Sequence, residues 1–177
     1  MNVLVTGGAG YIGSVLCRML LEQGHTVRVI DRLMHGDHGI AALSDHPKFA
    51  LHCADIRDRK ALTAATRGMD AVVHLAAIVG DPACAAEPET AEQTNEHATM
   101  QLLRQADLAG VQRFVFASTC SNYGKMPEPD AMVHENSPLN PVSLYARTKV
   151  NVEKTLLNPQ RIWPFTATAL RFATVYG

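Results

Sequence analysis

The chain has 177 residues, 47% of them hydrophobic, so it can bury one substantial core and lies in the size range of a single domain. Sixteen Lys and Arg residues balance seventeen Asp and Glu residues with no basic run, which argues against nucleic acid or a membrane as a partner. Its four cysteines lack CxxC spacing, so we expect reduced thiols. The N-terminus enters a predicted strand without a signal peptide or membrane span, which favours the cytoplasm.

The chain begins with an apolar run, MNVLVTGGAGYIG, that turns through three spaced glycines. Residues 2–6 are apolar without polar alternation, which predicts a buried parallel strand. The glycines are Gly7, Gly10 and Gly13. Apolar residues then recur at helical spacing over 11–23, and a glycine follows where a helix C-cap is expected. A helix N-terminus behind a Gly-rich turn presents backbone N–H groups and a positive dipole end, so the spacing predicts a pyrophosphate site.

A second strand is predicted over 26–30, and it ends in Asp31, eighteen residues after Gly13. A carboxylate at this position accepts hydrogen bonds from the adenosine ribose of a dinucleotide. It also repels a 2′-phosphate, which favours NAD over NADP, although Arg32 beside it offers that phosphate a partner. Together with the Gly-rich turn, Asp31 indicates a dinucleotide site rather than an ordinary tight turn.

The segment after Asp31 contains three histidines and an aspartate, Asp55, whose roles can each be interpreted in two ways. The connection after Asp31 contains His35, His38 and His46, which lack a tight ligand pattern such as HExxH, so we expect a solvated loop and no metal site. Asp55 follows a third predicted strand at 49–53, at the sheet edge where α/β folds bind ligands. It either faces the adenine or is a helix-capping acid of the loop, in which Asp58 can also cap the short helix that follows.

The rest of the chain continues the alternation of strands and helices. A fourth strand is predicted at 71–74, followed by the small residues 75–77, which let a cofactor approach closely, and a long loop over 80–90. The remaining predicted elements are a helix at 91–109, a strand at 113–117, a helix at 143–157 and a strand at 166–170. This alternation predicts an α/β fold, a Rossmann-type doubly wound parallel sheet with helices on both faces.

Tyr145 and Lys149 are four residues apart on the predicted helix at 143–157, so they share one face. An ammonium near a phenol lowers its pKa from about 10 toward neutrality, which lets the tyrosine move a proton at a sugar or alcohol hydroxyl. Thr119, at the end of the neighbouring strand, is placed to hydrogen-bond the same oxygen. A surface pair of this spacing is common, but its coupling to a dinucleotide fold favours the catalytic interpretation.

Five motifs in order resemble the extended short-chain dehydrogenase/reductase family over the whole chain. They are TGGAGYIG at 6–13, the strand end at Asp31, HLAA at 74–77, Ser-Thr at 118–119 and YARTK at 145–149. The closest resemblance is to its NAD-dependent epimerase/dehydratase group, which acts on nucleotide-activated sugars. The resemblance implies NAD as the cofactor, bound by Gly7, Gly10, Tyr11, Ile12, Gly13, Asp31, Asp55, Ile56, Leu75, Ala76, Ala77, Tyr145 and Lys149.

The resemblance also implies roles at the reacting carbon. Tyr145 would take the proton from a sugar hydroxyl while hydride goes to the nicotinamide, and Thr119 would orient and polarise the same oxygen. Lys149 would also bind the nicotinamide ribose. Asn95 and Thr174 are implied to lie next to the substrate, although many relatives place an Asn where this chain has Thr174.

One departure bears on the reaction. Sugar 4,6-dehydratases of this family carry an acidic pair after the catalytic threonine, and this chain has Cys120 and Ser121 there. The leading hypothesis is therefore a nucleotide-sugar epimerase that oxidises a sugar to a keto intermediate and returns the hydride. A dehydratase and an NAD(P)-dependent reductase are alternatives of the same family. A non-catalytic dinucleotide-binding regulatory protein is an alternative of another class, against which the intact Thr119, Tyr145 and Lys149 argue.

The resemblance also predicts the domain organisation. Members of this family continue with a further strand and a smaller C-terminal substrate domain. Residues 1–177 are thus expected to form the NAD-binding domain, with the substrate domain missing and little turnover by this piece alone. The complete enzyme is expected to be a homodimer.

Overall fold

A computed structural model of the chain describes residues 1–125 and 132–176, and six strands among them form one parallel sheet. The strands are β1 (Asn2–Thr6), β2 (Thr26–Asp31), β3 (Phe49–Cys53), β4 (Ala71–His74), β5 (Arg113–Thr119) and β6 (Thr166–Phe172). Their order in the sheet is β3-β2-β1-β4-β5-β6. The chain order therefore reverses between β1 and β4, and this is the point where doubly wound folds bind dinucleotides. The predicted Rossmann-type fold is confirmed.

Among the described residues, six α-helices connect the strands. They are α1 (Tyr11–Glu22), α2 (Arg59–Thr66), α3 (Asp81–Ala86), α4 (Pro88–Glu92), α5 (Ala98–Leu108) and α6 (Leu144–Leu156). A π-helical turn, Gln93–His97, joins α4 to α5, and short 3-10 turns lie at Ala41–Leu43 and Cys120–Tyr123. Side chains cap two of the helices: Asp58 accepts from the backbone at the start of α2, and Ser143 does so at the start of α6.

The predicted long loop at 80–90 is wrong, because α3 and α4 lie there. Each of these helices carries a proline in its first turn, Pro82 in α3 and Pro88 in α4, where the missing N–H group costs no hydrogen bond. Strands β5 and β6 are also longer than predicted. β5 runs to Thr119 and β6 to Phe172, because these two residues continue the register by which the strands pair. Residues 126–131, in the connection between β5 and α6, lie outside the described residues.

The core has two layers because successive strand residues point to opposite faces of the sheet. On the α1 side, Val3 and Val5 of β1 pack with Cys17 of α1. On the other side, Leu4 belongs to a larger cluster that includes residues of α2, α5 and α6. The four cysteines are free thiols, as predicted. No helix among the described residues is long and apolar enough to cross a membrane.

The single tryptophan, Trp163, lies in the connection between α6 and β6. Its ring stacks on Phe165 with 5.0 Å between centroids, and the Arg161 guanidinium lies 3.9 Å from its centroid. Its Nε1 donates a hydrogen bond to the carbonyl of Leu156, the last residue of α6 (3.1 Å). These contacts fix the end of α6 at the amino-terminal edge of the sheet.

Candidate active site

The Gly-rich turn between β1 and α1, residues 7–13, forms what we call the cofactor cradle. Gly7 has a left-handed φ of 72°, and a Cβ there would lie 2.7 Å from the backbone nitrogen of Ala76. A Cβ at Gly13 would lie 2.3 Å from the carbonyl oxygen of Gly7. Gly10 is the N-cap of α1 and offers no side chain to the helix N–H groups. The turn is thus backbone packed against backbone with uncapped N–H groups, which fits a bound pyrophosphate.

The end of β4 lies directly against the cradle. The backbone nitrogens of Leu75 and Ala76 donate to Thr6, to its carbonyl (3.1 Å) and its hydroxyl (3.2 Å) respectively. Leu75, Ala76 and Ala77 are half-buried, as is Ile12 in the first turn of α1, whereas Tyr11 is exposed. The structure therefore brings the predicted cofactor residues of β1, α1 and β4 to one edge of the sheet.

Asp31 reaches the cradle from the end of β2. Its Oδ2 accepts a hydrogen bond from the Ala9 backbone (3.0 Å), and its Oδ1 accepts one from the Leu33 backbone (2.8 Å). Leu33 has a left-handed φ of 57°, which a non-glycine residue rarely adopts. A carboxylate offers about four lone-pair sites, so Asp31 holds the turn and keeps acceptor capacity for a ribose.

Asp55 lies next to two arginines rather than at a helix cap. Arg57 donates to both of its carboxylate oxygens, and the nitrogen of Arg32 lies 3.4 Å away. Burial alone would raise the pKa of Asp55, but the hydrogen bonds and charges of the two arginines outweigh it and lower the pKa. Because Arg32 faces a carboxylate, it is not presented free to a 2′-phosphate. Ile56, next in the chain, is buried in the core.

Thr119, Tyr145 and Lys149 lie where β5 ends and α6 begins, and we call them the β5–α6 corner. Lys149 Nζ donates to the carbonyl of Ala117 on β5 (2.9 Å) and lies 5.7 Å from the centroid of the Tyr145 ring. Thr119 Oγ1 accepts from the Ser121 backbone (3.1 Å), so this threonine caps the 3-10 turn that follows β5. Lys149 is buried and Tyr145 is half-buried.

The expectation that Lys149 lowers the pKa of Tyr145 is wrong for this structure. Burial raises the pKa of Tyr145 to about 12, and the nearby acidic groups Cys84, Asp81 and Cys120 act in the same direction. Burial lowers the pKa of Lys149 to about 8. The physical reason is therefore the burial of the phenol, which the ammonium does not offset: Nζ is bonded to the Ala117 carbonyl and lies 5.7 Å from the centroid of the ring.

A buried ion pair behind the corner was not predicted. Glu153 of α6 accepts hydrogen bonds from Ser118, from Asn122 (2.9 Å) and from Arg171 of β6, whose closest nitrogen is 2.7 Å away. The hydrogen bond to Glu153 raises the pKa of Arg171 further above its ordinary range. Arg171 also donates to the Tyr123 hydroxyl (3.0 Å). The one signal in the sequence was that Glu153 lies eight residues after Tyr145, on the same helix face.

The two residues predicted beside the substrate have different surroundings. Asn95, in the π turn, is 1% exposed, and its amide oxygen and nitrogen bond the backbone N–H (2.8 Å) and carbonyl (2.9 Å) of Ile78. Its amide thus has no free surface for a sugar, because it binds the segment after β4. Thr174 is exposed beyond the end of β6, and Cys120 and Ser121 are exposed on the turn after Thr119. Among the described residues, no group of three or more His, Cys, Asp or Glu side chains could hold a metal ion.

The geometry at this sheet edge agrees with the comparison to known families. A model of the NAD dependent epimerase/dehydratase family matches residues 3–177. The chain belongs to this family. The family is part of the short-chain dehydrogenase/reductase superfamily and uses NAD, so the predicted family and cofactor are confirmed.

Individual relatives are epimerases and a dehydratase. A UDP-glucose 4-epimerase from Corynebacterium glutamicum is 33% identical over 186 aligned positions, covering 100% of this chain and 52% of the relative. The solved UDP-glucose 4-epimerase of Thermus thermophilus, in complex with NAD, is 31% identical with a TM-score of 0.89, covering 100% of this chain and 56% of that one. A dTDP-glucose 4,6-dehydratase double mutant from Streptomyces venezuelae, solved with NAD, is 34% identical with a TM-score of 0.88, covering 97% of this chain and 55% of that one. The chain spans about half the length of these relatives.

Proposed function

We propose that residues 1–177 form the NAD-binding domain of an epimerase of nucleotide-activated sugars. The observation that carries this proposal is the meeting of the cofactor cradle and the β5–α6 corner at one edge of the sheet, without an acidic pair after Thr119. Several relatives that match the whole chain are 4-epimerases of UDP-sugars, so UDP-sugars are the first substrates to test. Because the chain spans about half of these relatives, we also propose that other residues of the protein supply most of the sugar pocket.

The proposed reaction begins at a sugar hydroxyl placed beside the β5–α6 corner. Bound in the cofactor cradle, NAD would supply the acceptor for a hydride from the sugar carbon and the source from which it returns. Tyr145 takes the hydroxyl proton as the carbon becomes a ketone and gives it back when the hydride returns to the opposite face. Thr119 donates a hydrogen bond to the same oxygen, and no net oxidation results.

Tyr145 needs nearby positive charge to act as this base. A phenol with a pKa of about 12 stays protonated at neutral pH. Lys149 is this chain's source of such charge, since its ammonium already lies at the phenol ring. A movement of Nζ from the Ala117 carbonyl toward the phenol oxygen would lower the pKa of Tyr145, and we propose that this movement accompanies cofactor binding.

The test uses the full-length protein and the variant Tyr145→Phe. We expect turnover of UDP-glucose and UDP-N-acetylglucosamine to fall by about 10²-fold or more, as for loss of a general base, while the dissociation constant for NAD changes little. NAD affinity is measured by titration calorimetry. An equal loss of NAD binding and turnover would contradict the role given to Tyr145. Absence of turnover in the unchanged protein, with NAD still bound, would favour a non-catalytic dinucleotide-binding protein.

Heavy water separates epimerisation from dehydration, the second candidate, which the solved dehydratase relative suggests. An epimerase that returns its own hydride gives an isomer of unchanged mass without deuterium. A dehydratase gives a product that has lost water and taken up solvent deuterium. The second result would show that water can be lost without an acidic pair at positions 120 and 121, by means of other acid–base groups.

We also expect the full-length protein to be a homodimer, and analytical sedimentation would check this.

A further inference from the structure

A line of buried hydrogen bonds runs from the cofactor cradle to the π turn. His74, the last residue of β4, is 1% exposed, and its Nδ1 lies 2.6 Å from Thr6 Oγ1. Its Nε2 lies 2.7 Å from Thr99 Oγ1 on α5. At one end of the line the Ala76 backbone donates to Thr6 Oγ1 (3.2 Å). At the other end Thr99 Oγ1 donates to the carbonyl of Asn95 (2.8 Å).

The partners at the two ends of this line indicate where its protons lie. The Asn95 carbonyl can only accept, so Thr99 gives its proton there and accepts a hydrogen bond from His74 Nε2. The Thr6 hydroxyl accepts from the Ala76 N–H, and its own proton finds an acceptor in the line only if His74 Nδ1 is unprotonated. The form in which every proton of the line has an acceptor is a neutral imidazole with its proton on Nε2.

The surroundings of the ring support the neutral form. Phe116 of β5 stacks on it with 5.9 Å between centroids, and Phe114 lies 6.3 Å away. The charged group that faces it comes from α6 and is the ammonium of Lys149. Burial and this positive charge lower the pKa of His74 to about 3.

The line holds in place the segment after β4. Ala76 packs directly against the cradle: its backbone nitrogen occupies the space that a Cβ at Gly7 would need. Two residues further on, Ile78 is bound through both its N–H and its carbonyl by the side chain of Asn95. His74 thus links the two points at which this segment is fixed, one on β1 and one in the π turn. π turns inside helices often occur at functional sites.

We propose that His74 is a positioning residue for NAD, which as the neutral Nε2–H tautomer holds residues 75–78 against the Gly-rich turn and so forms the cofactor cleft in advance. Preformed clefts bind more tightly because less ordering is needed on binding. The role concerns NAD binding alone, so it goes beyond the proposed epimerase function. It would stand for any reaction that the protein carries out with NAD.

The first test breaks one link with a matched control. Thr99→Val removes the hydroxyl that accepts from His74. Thr66→Val removes a hydroxyl that is equally buried and also bonds the carbonyl four residues earlier, that of Leu62, without a histidine partner. In the full-length protein we expect Thr99→Val to weaken NAD binding by about 3- to 10-fold, the effect of one net hydrogen bond, and Thr66→Val to change it by less than about 2-fold.

Thermal melts measure how much stability each variant loses. If the two losses are similar, a difference in NAD affinity between the variants is not caused by a difference in folding. Thr99→Ser retains the hydroxyl and should restore the affinity. Equal affinities for Thr99→Val and Thr66→Val would overturn the proposal.

The second test determines the tautomer of His74 in the unchanged protein and uses Thr99→Val only to assign the signals. The imidazole nitrogens of the ¹⁵N-histidine-labelled protein are observed by NMR, and the His74 signals are those that move in Thr99→Val. We expect one protonated nitrogen, Nε2, and one unprotonated nitrogen, Nδ1, unchanged between pH 5 and 8. A proton on Nδ1, or a titration near pH 6.5, would overturn the assigned tautomer and the positioning role with it.

Discussion

The cofactor cradle and the β5–α6 corner lie on the same edge of the sheet, but different interactions hold them. The cradle is made of backbone, and its shape depends on the lack of side chains at Gly7 and Gly13. The corner and the ion pair behind it depend on buried charged side chains and their partners, Lys149 with a strand carbonyl and Glu153 with the half-buried Arg171. The first region is therefore sensitive to added volume, and the second to any change that leaves a buried charge without a partner.

The largest effect is expected where the ion pair behind the corner is broken. Arg171→Ala leaves the buried carboxylate of Glu153, whose side chain is 3% exposed, without its cation, so we expect the free energy of unfolding to fall by about 3–5 kcal/mol. Urea denaturation of the full-length protein measures this fall. Arg57→Ala is the control at the cradle side. Its pair with Asp55 is partly exposed, with side-chain exposures of 38% and 26%, so its loss should cost at most about 1 kcal/mol. Similar costs for the two variants would remove the distinction between the regions.

Gly13→Ala is expected to cost less stability than loss of the ion pair, and to weaken NAD binding as well. The new Cβ would lie 2.3 Å from the Gly7 oxygen and 2.7 Å from the Gly8 Cα, so the backbone of the turn must move. We expect a loss of about 2 kcal/mol in unfolding free energy. If a similar free energy is lost on binding, NAD affinity falls about tenfold or more.

Gly10→Ala is the matched control for this variant. Its Cβ would meet only the Gly7 oxygen, at 3.3 Å, and its φ of −74° suits any residue. We therefore expect Gly10→Ala to cost less stability than Gly13→Ala. The reverse order in denaturation measurements would mean that the packing within the turn is different from that described.

The mildest test lowers the pH and acts on His74, which bonds Thr6 beside the cradle and faces the charge of Lys149 in the corner. Unfolded His74 takes up a proton near its ordinary pKa of about 6.5, whereas the folded residue does so only near 3. The contribution of neutral His74 is therefore complete above pH 6.5 and is lost as the pH falls. Between pH 6.5 and 4.5 we expect the unfolding free energy to drop by roughly 1 kcal/mol per pH unit.

Other groups do not reverse this trend. His52, whose pKa is also lowered by burial and by Arg28, adds to it in the same direction. Lys149 affects stability only above pH 8, where the folded chain loses a proton before the unfolded chain does. A flat unfolding free energy between pH 6.5 and 4.5 would contradict the buried neutral state of His74.

The cradle could be predicted from the sequence because its requirements are local. Glycine is needed where a Cβ has no room, short apolar runs mark the strands, and Asp31 follows directly from the end of β2. The order of the elements then fixed the parallel sheet, and the position of Thr119, Tyr145 and Lys149 near one another followed from the spacing on α6 and the neighbouring strand.

The electrostatics of the corner could not be predicted in the same way. Spacing showed that Lys149 lies one turn from Tyr145, but not that its ammonium bonds the Ala117 carbonyl. The pKa direction of Tyr145 depends on burial, which is a property of the packed molecule. For the same reason the inward-facing amide of Asn95 and the buried Glu153 had no clear signal. A charged or amide side chain at one helical position looks the same in sequence whether it is solvated or enclosed.

The position of Trp163 gives the protein an internal optical reporter. It is the one tryptophan, and it lies at the amino-terminal edge of the sheet, whereas the cradle lies at the carboxyl-terminal edge. Its fluorescence should therefore change when the α6–β6 connection unfolds and stay nearly constant when NAD fills the cradle. One sample then separates loss of the fold, seen in the tryptophan emission, from loss of the cofactor, seen by calorimetry, for every variant described above.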